Sequence, residues 1–227
     1  LLRSNRIGHF VADSVQLMIL NEKKNQNFRR ILSFKVPSSN NYWETRVKEK
    51  LRIRQWSKYL FYWNWKIPGG DKHNEVFVHS RDIEGNLEMS DFRLDFSPEE
   101  DISARNWLKR KGWKEGEPFV CLLVRDSAYL RDSALIEDHE WSYHDYRDTD
   151  IKDYVPAMEW LTEQGVFVLR MGKIMKEPIT SKNNMIVDYA FLDDKSDFMD
   201  IWLFANCTLC ISTGTGQDLV SDVYRRP

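Results

Sequence analysis

Four short apolar runs separated by helical patterns occupy the second half of the chain, and they restrict the fold more than any other feature. Glu117–Arg125 (EPFVCLLVR) and Val166–Arg170 (VFVLR) are continuous apolar stretches of strand length, Met185–Asp188 (MIVD) is shorter, and Cys207–Ile211 is a fourth. Between them, Asp150–Gln164 carries Ile151, Tyr154, Val155, Met158 and Leu161 at helical intervals, and Ser196–Ala205 predicts a second helix. Asp150 is placed to cap the first helix and Gly165 to end it. Strands apolar throughout must be buried on both faces, so the alternation predicts an α/β unit whose parallel sheet is covered by helices on both sides.

The first half is less regular. Leu1–Arg6 and Ile31–Val36 are strand candidates, with His9–Leu20 a helix between them. Residues 41–66, dense in aromatic and basic side chains, read as helix to about Leu60, and Pro68-Gly69-Gly70 is a firm stop. Residues 82–101 are acidic and turn-rich, and Ile102–Trp113 reads as a helix closed by the Gly112–Gly116 stretch. Glycine, charge and Pro118 cluster near 112–117, which places a domain junction there and gives units 1–114 and 115–227. Charge follows the same division. Residues 1–116 hold 22 Lys and Arg against 15 Asp and Glu, whereas 117–227 hold 11 against 20, within a net charge of −2. Such asymmetry suggests two units facing different partners, or one basic face meeting an anionic surface.

Several classes are excluded. Nine Trp, nine Tyr and twelve Phe in 227 residues rule out global disorder. No stretch approaches the ~18–20 apolar residues of a membrane-spanning helix. Cys121, Cys207 and Cys210 lie in apolar, strand-like runs without the paired spacing of a zinc site, so they read as small buried hydrophobes of a reducing compartment, and no metal site is expected. The chain starts at Leu1 without Met and stops at Pro227, where an α/β chain would enter its next strand, so a fragment of a longer protein is expected.

Three features point to chemistry. Ile211-Ser-Thr-Gly-Thr-Gly216 is a glycine-rich turn between a strand and a helix starting near Gln217, where exposed backbone N–H groups suit a phosphate. It lacks the Lys of a Walker loop, and Leu219 replaces the third glycine of the dinucleotide fingerprint. Arg125 and Arg170 stand at carboxyl ends of strands and Arg147 in the loop between, where guanidinium groups can converge on an anion; the alternative for each is an ion pair with Asp126, Asp145 or Asp188. That loop, Asp126–Thr149, spans 24 residues and holds Tyr129, His139, Trp141, Tyr143, His144 and Tyr146, far more than the ~2–6 residues usual for such a connection. His144 is a candidate acid or base. In the first unit, Arg6-Ile-Gly-His-Phe-Val-Ala-Asp13 reads as a strand-to-helix turn in which Gly8 permits close approach and His9 and Asp13 share a helix face, so either can deprotonate a hydroxyl. Trp56–Lys66 interleaves aromatic and basic residues and suits a membrane interface, a sugar ring or a plain core element. Asp193-Asp194 reads as a solvated turn.

Taken in order, Arg6-Ile-Gly-His-Phe-Val-Ala-Asp13, Val124-Arg-Asp-Ser-Ala-Tyr129, His144-Asp-Tyr-Arg-Asp148, Arg170-Met-Gly172, Ile186-Val-Asp-Tyr-Ala190, Phe198-Met-Asp-Ile201 and Ser212-Thr-Gly-Thr-Gly216 extend over nearly the whole chain. Together they resemble a family of bacterial glycosyltransferases linked to surface-polysaccharide synthesis. More distantly, the layout is similar to heptosyltransferases and O-fucosyltransferases of the GT-B type. The resemblance implies two Rossmann-like domains, the C-terminal one truncated in this chain. Residues 1–114 would form the acceptor side, with Arg6 and Gly8, and residues 115–227 would bind the nucleotide sugar. Donor contacts are implied for Arg125, Asp126, His144, Arg170, Gly172, Ser212, Thr213, Gly214, Thr215 and Gly216, with Arg147 stabilising the leaving group. Heptosyltransferases carry their base, an Asp, directly after the glycine; here His9 stands there and Asp13 follows, so Asp13 or His9 is the expected base. Such enzymes need neither metal nor cofactor beyond the nucleotide-sugar co-substrate, because basic groups neutralise the departing diphosphate. The implied partners are a nucleotide-diphosphate sugar and a glycan acceptor, not nucleic acid. The implied location is the cytoplasm, with peripheral attachment to the inner face of the membrane. A non-catalytic sugar- or nucleotide-binding module and a sugar-nucleotide epimerase are the alternatives.

Overall fold

The computed structural model describes residues 1–23, 30–74, 82–132 and 146–227, and the chain divides into the units Leu1–Leu94 and Asp95–Pro227. The first unit alternates short extended segments with α1 (Ile7–Lys23), α2 (Asn41–Lys50), α3 (Ser57–Asn64) and α4 (Asn86–Met89). Phe10–Val15 and Leu17–Ile19 of α1 are all buried, more than one helical face. The fully buried Trp43 of α2 donates its indole N–H to Ser14 Oγ at 3.0 Å, and Ser14 donates in turn to the Phe10 carbonyl at 2.6 Å. Asn40 caps α2 through the Trp43 N–H.

The two expected strands of this unit shrink to isolated parallel bridges, Leu2 with Phe34 and Leu32 with Ile53. The third member of this ladder corrects the expectation of one helix from 41 to about Leu60. Leu51 and Ile53 are buried while Arg52 and Arg54 are exposed, a period of two that is incompatible with a helix, and the Arg54 N–H donates to the Leu32 carbonyl. The helical pattern resumes only at Ser57 and ends at Asn64, ahead of the predicted Pro-Gly-Gly stop, where a Cβ on Gly70 would run into the Asn64 carbonyl.

The second unit is mixed α/β around one parallel four-stranded sheet: β1 (Phe119–Leu123), β2 (Phe167–Arg170), β3 (Ile186–Val187) and β4 (Leu209–Ser212), in the order β3-β2-β1-β4. Register pairs Val120 with Val168 and with Leu209, and Cys121 with Leu169 and with Cys210. The helices are α5 (Pro98–Arg110), α6 (Ala128–Asp132), α7 (Val155–Glu163), α8 (Asp197–Asn206) and α9 (Leu219–Val223). Leu122, Val124 and Val168 pack on Ile151 and Met158 at α7, while Phe119 stacks on Trp202 of α8 at 6.4 Å between centroids. Asp150, the expected cap, caps the 3-10 turn Ile151–Tyr154 that leads into α7, Ser196 caps α8, and Gly165 ends α7 at φ +78°.

The division after Leu94 assigns α5 to the second unit, whereas its sequence position had placed it with the first. Its helix starts at Pro98, ahead of the expected Ile102, because Ser97 and Glu100 form a capping box. Asp101 then accepts the Trp202 indole N–H at 2.7 Å, and Asp194 accepts from Trp107 and pairs with Lys111, so that aspartate is a tie to α5 and not merely a solvated turn. β4, expected to be buried, is half-exposed because its only strand partner among the described residues is β1. The three cysteines are free thiols, Cys121 and Cys207 buried and Cys210 partly so.

Asp200 of α8 is buried and accepts the Tyr189 hydroxyl at 2.7 Å; burial pushes its carboxyl up to about 6 despite the opposing pull of Tyr189, Lys173 and Lys195, and Asp197 adds to the rise. A carboxyl held above its unfolded value stabilises the fold at low pH and withdraws that stability as pH climbs through about 6, on the order of 3 kcal/mol for this interval. Asp200→Asn should therefore lose much less stability than the parent chain between about pH 4 and pH 6 in urea melts. Parallel pH curves for the two proteins would refute this.

Candidate functional site

The strand order reverses at β1. The connection through α7 leads to β2 on one side, and the connection through α8 returns past β1 to β4 on the other, so the carboxyl ends of β1 and β4 open a crevice at a topological switch point. Two loops meet there. The Arg125 N–H donates to Thr213 Oγ1 at 2.8 Å, the Thr213 N–H donates to the Leu123 carbonyl at 3.1 Å, and the Thr149 N–H donates to the Arg125 carbonyl at 3.0 Å. The side chain of Arg125, 12% exposed, gives Nε–H to Asp148 Oδ1 at 2.9 Å. Its Nη2 is buried and has no hydrogen-bond partner among the described residues. Arg170 Nε is likewise buried without a partner among the described residues, so an orphaned donor calls for a ligand or an ordered water only where the site can admit one, as at the half-open end of β1.

Arg147 arrives from the loop before α7 and donates Nη1–H to the Gly214 carbonyl at 3.1 Å, with its guanidinium 5.7 Å from the Tyr146 ring centroid. Gly214 sits at φ +81°, which favours glycine, and a Cβ there would be 3.9 Å from Arg147. The structure thus brings together Arg125, Arg147 and the turn Ser212, Thr213, Gly214, Thr215 and Gly216.

The turn does not present the free amides expected of it. The Gly214 N–H donates to Ser212 Oγ, the Thr215 N–H to Asp218 Oδ2 and the Gln217 N–H to Thr215 Oγ1, while Ser212 Oγ–H also donates to Asp218 Oδ2 at 2.7 Å. The protein's own carboxylate occupies the concavity, and burial pushes the Asp218 carboxyl above its ordinary range. The helix that follows is also short, a 3-10 turn Gly216–Asp218 leading into α9. The cationic side chains at this crevice are Arg125 and Arg147.

The remaining candidates have other positions. Arg170 is fully buried, pairs with Asp188 at 3.0 Å, donates Nη2–H to the Glu177 carbonyl and lies over the Phe191 ring; it ties β2 to the segment after β3, the ion-pair alternative for this residue. Asp126 accepts the N–H groups of Ala128 and Lys176 and so braces its loop. Gly172 adopts φ +151° beside Met175 and Ala190. His144 lies outside the described residues, as do His139, Trp141 and Tyr143. In the first unit, Gly8 and His9 fall in the first turn of α1, Arg6 directly precedes it, and Asp13, on the same helix face as His9, is buried. Among the described residues, no group of three His, Cys, Asp or Glu side chains is placed to hold a metal ion. Sequence reasoning missed the Asp148 partner of Arg125 and the Asp218 plug; the signal for the second was the Thr-x-x-Asp spacing of a capping box.

No protein-family model, no curated protein and no solved structure matches this chain.

The two arginine environments predict different costs. Arg170→Ala leaves Asp188 largely buried without its cation and should destabilise the protein by roughly 3–5 kcal/mol, whereas Arg147→Ala at the crevice should stay within about 0.5 kcal/mol. Chemical denaturation of both variants checks this; equal losses would show Arg147 to be a structural residue.

Proposed function

We propose that this chain is part of a glycosyltransferase that moves a sugar from a nucleoside-diphosphate donor to a hydroxyl of a bacterial surface glycan, with two GT-B-type domains. The observation that carries the reading is the pairing of Arg125, whose buried Nη2 has no partner among the described residues, with Arg147 and the glycine turn at the β1/β4 switch point. Parallel α/β sheets bind ligands at such crevices, and a planar guanidinium is suited to two phosphate oxygens at once.

In this reading the second unit holds the donor and the first unit the acceptor. The acceptor oxygen attacks the anomeric carbon, Asp13 or His9 takes its proton, and the bond from that carbon to the diphosphate oxygen breaks. The electron pair leaves on the diphosphate, whose growing charge Arg125 and Arg147 stabilise in place of a divalent metal. Asp148 holds Arg125 through Nε, which leaves the far edge of the guanidinium directed at the ligand.

Thermal-shift and calorimetric titration with GDP, UDP, ADP, CMP and TDP, each with and without Mg²⁺, tests the proposal. One diphosphate should raise the melting temperature without metal, since saturation at about 100 Kd adds about 2.7 kcal/mol. Arg147→Ala should weaken that binding at least tenfold. No response to any nucleotide would overturn the reading, and donor binding without release of diphosphate in the presence of acceptor glycan would reduce it to a binding module.

A further inference from the structure

Helix α3 is turned inside out. A helix on a protein surface buries its apolar stripe and exposes its polar face, yet no residue of α3 is buried. Trp56, Tyr59, Leu60 and Trp63 fall on one side at helical spacing, and all are more than half exposed. Tyr62 flanks them, and Trp65 and Ile67 continue the patch beyond the helix end, each also more than half exposed. The face opposite holds the half-buried Ser57, Phe61 and Asn64, with Asn64 tied to Asn74 and Asn74 to the Phe61 carbonyl. The helix is therefore anchored through Ser57, Phe61 and Asn64, with the Trp56, Tyr59 and Trp63 rings more than half in water. Contiguous exposed apolar surface of this kind marks an interaction site.

Its charge identifies the occupant. Residues 50–73 contain Lys50, Arg52, Arg54, Lys58, Lys66 and Lys72 against the single acidic Asp71. Among the described residues no acidic side chain pairs with Arg52, Lys58, Lys66 or Lys72, and Lys58 lies over the Tyr59 ring at 5.2 Å. We propose that α3 and the turn after it dock this protein on an anionic lipid bilayer, with the Trp and Tyr rings at the headgroup boundary, Leu60 and Ile67 against the acyl chains, and the basic side chains on lipid phosphates. Tryptophan, tyrosine and lysine are the side chains whose apolar bodies and polar tips suit that layer. A second copy of the chain meeting at the same patch would oppose the same cations, which have no acidic partner among the described residues, and a glycan has no use for exposed Leu60 and Ile67. The inference is independent of the sugar-nucleotide reading.

Cosedimentation of the whole chain with vesicles of phosphatidylcholine alone and of phosphatidylcholine mixed with phosphatidylglycerol tests it. The parent protein should partition at least tenfold more strongly to the anionic vesicles, and less so in high salt. Trp56→Ser with Trp63→Ser should reduce that binding at least tenfold while leaving the melting temperature unchanged. Lys58→Glu with Lys66→Glu should abolish the preference for phosphatidylglycerol, which keeps the proposal testable if the tryptophan variant folds poorly. A parent chain that stays in the supernatant with both vesicles overturns the proposal, as does undiminished pelleting of both variants. Dimerisation or glycan retention that depends on Trp63 without vesicle binding would assign the patch to those partners instead.

Discussion

Parallel pairing of β1 on both of its sides is the constraint on which the second unit depends. All five of its residues are buried, so both faces must be covered, and α7 serves one face while α8 and the α5 tie through Asp101 and Trp202 serve the other. Parallel neighbours cannot be joined by tight turns, so each connection carries a helix or a long loop, and all strand ends of one kind emerge together. The crevice follows from that geometry before any particular side chain is considered: the chain leaves β1 toward one side and returns to β4 on the other. Arg125 is where it is because it lies just beyond the last residue of the central strand.

The second unit was largely legible because its signals are long-range in sequence but simple in kind. Apolar runs, a capping Asp150 and a terminating Gly165 each act locally, and the fold honours each. The first unit hid its ladder because isolated bridges need only one or two residues apiece. Leu51-Arg-Ile-Arg54 has the period of a strand, yet it is flanked by helix formers on one side and aromatic residues on the other, and the local pattern was absorbed into one long helix. The start of α5 was readable in Ser97-Pro-Glu-Glu100, a capping signal masked by the acidic run around it.

The site was legible in position and not in bonding. Strand ends and the glycine turn place Arg125, Arg147 and Ser212–Gly216 at one crevice, but sequence distance does not say which carboxylate takes which guanidinium. Arg170 and Arg125 both end or follow buried strands and each keeps one buried donor without a partner among the described residues, Nε in Arg170 and Nη2 in Arg125, so the difference between them is enclosure, 1% against 12% side-chain exposure. Arg170 has Asp188, the Glu177 carbonyl and the Phe191 face, and is fully enclosed. Arg125 has Asp148 on Nε and keeps Nη2 without a partner among the described residues.

Electrostatics at the crevice favours direction over field. Arg125 and Arg147 supply two positive charges, and Asp148 and Asp218 lie within hydrogen-bond reach of Arg125 and of the turn, so the local sum is not strongly positive. A merely anionic ligand gains little there from net attraction, and the turn amides are already engaged by Ser212, Thr215 and Asp218. What remains is a fixed guanidinium edge and a second arginine steadied by the Gly214 carbonyl. Such an arrangement rewards a ligand with several oxygens at set angles, as in a diphosphate, over a lone carboxylate, because two parallel hydrogen bonds to one fork add geometric selection to charge.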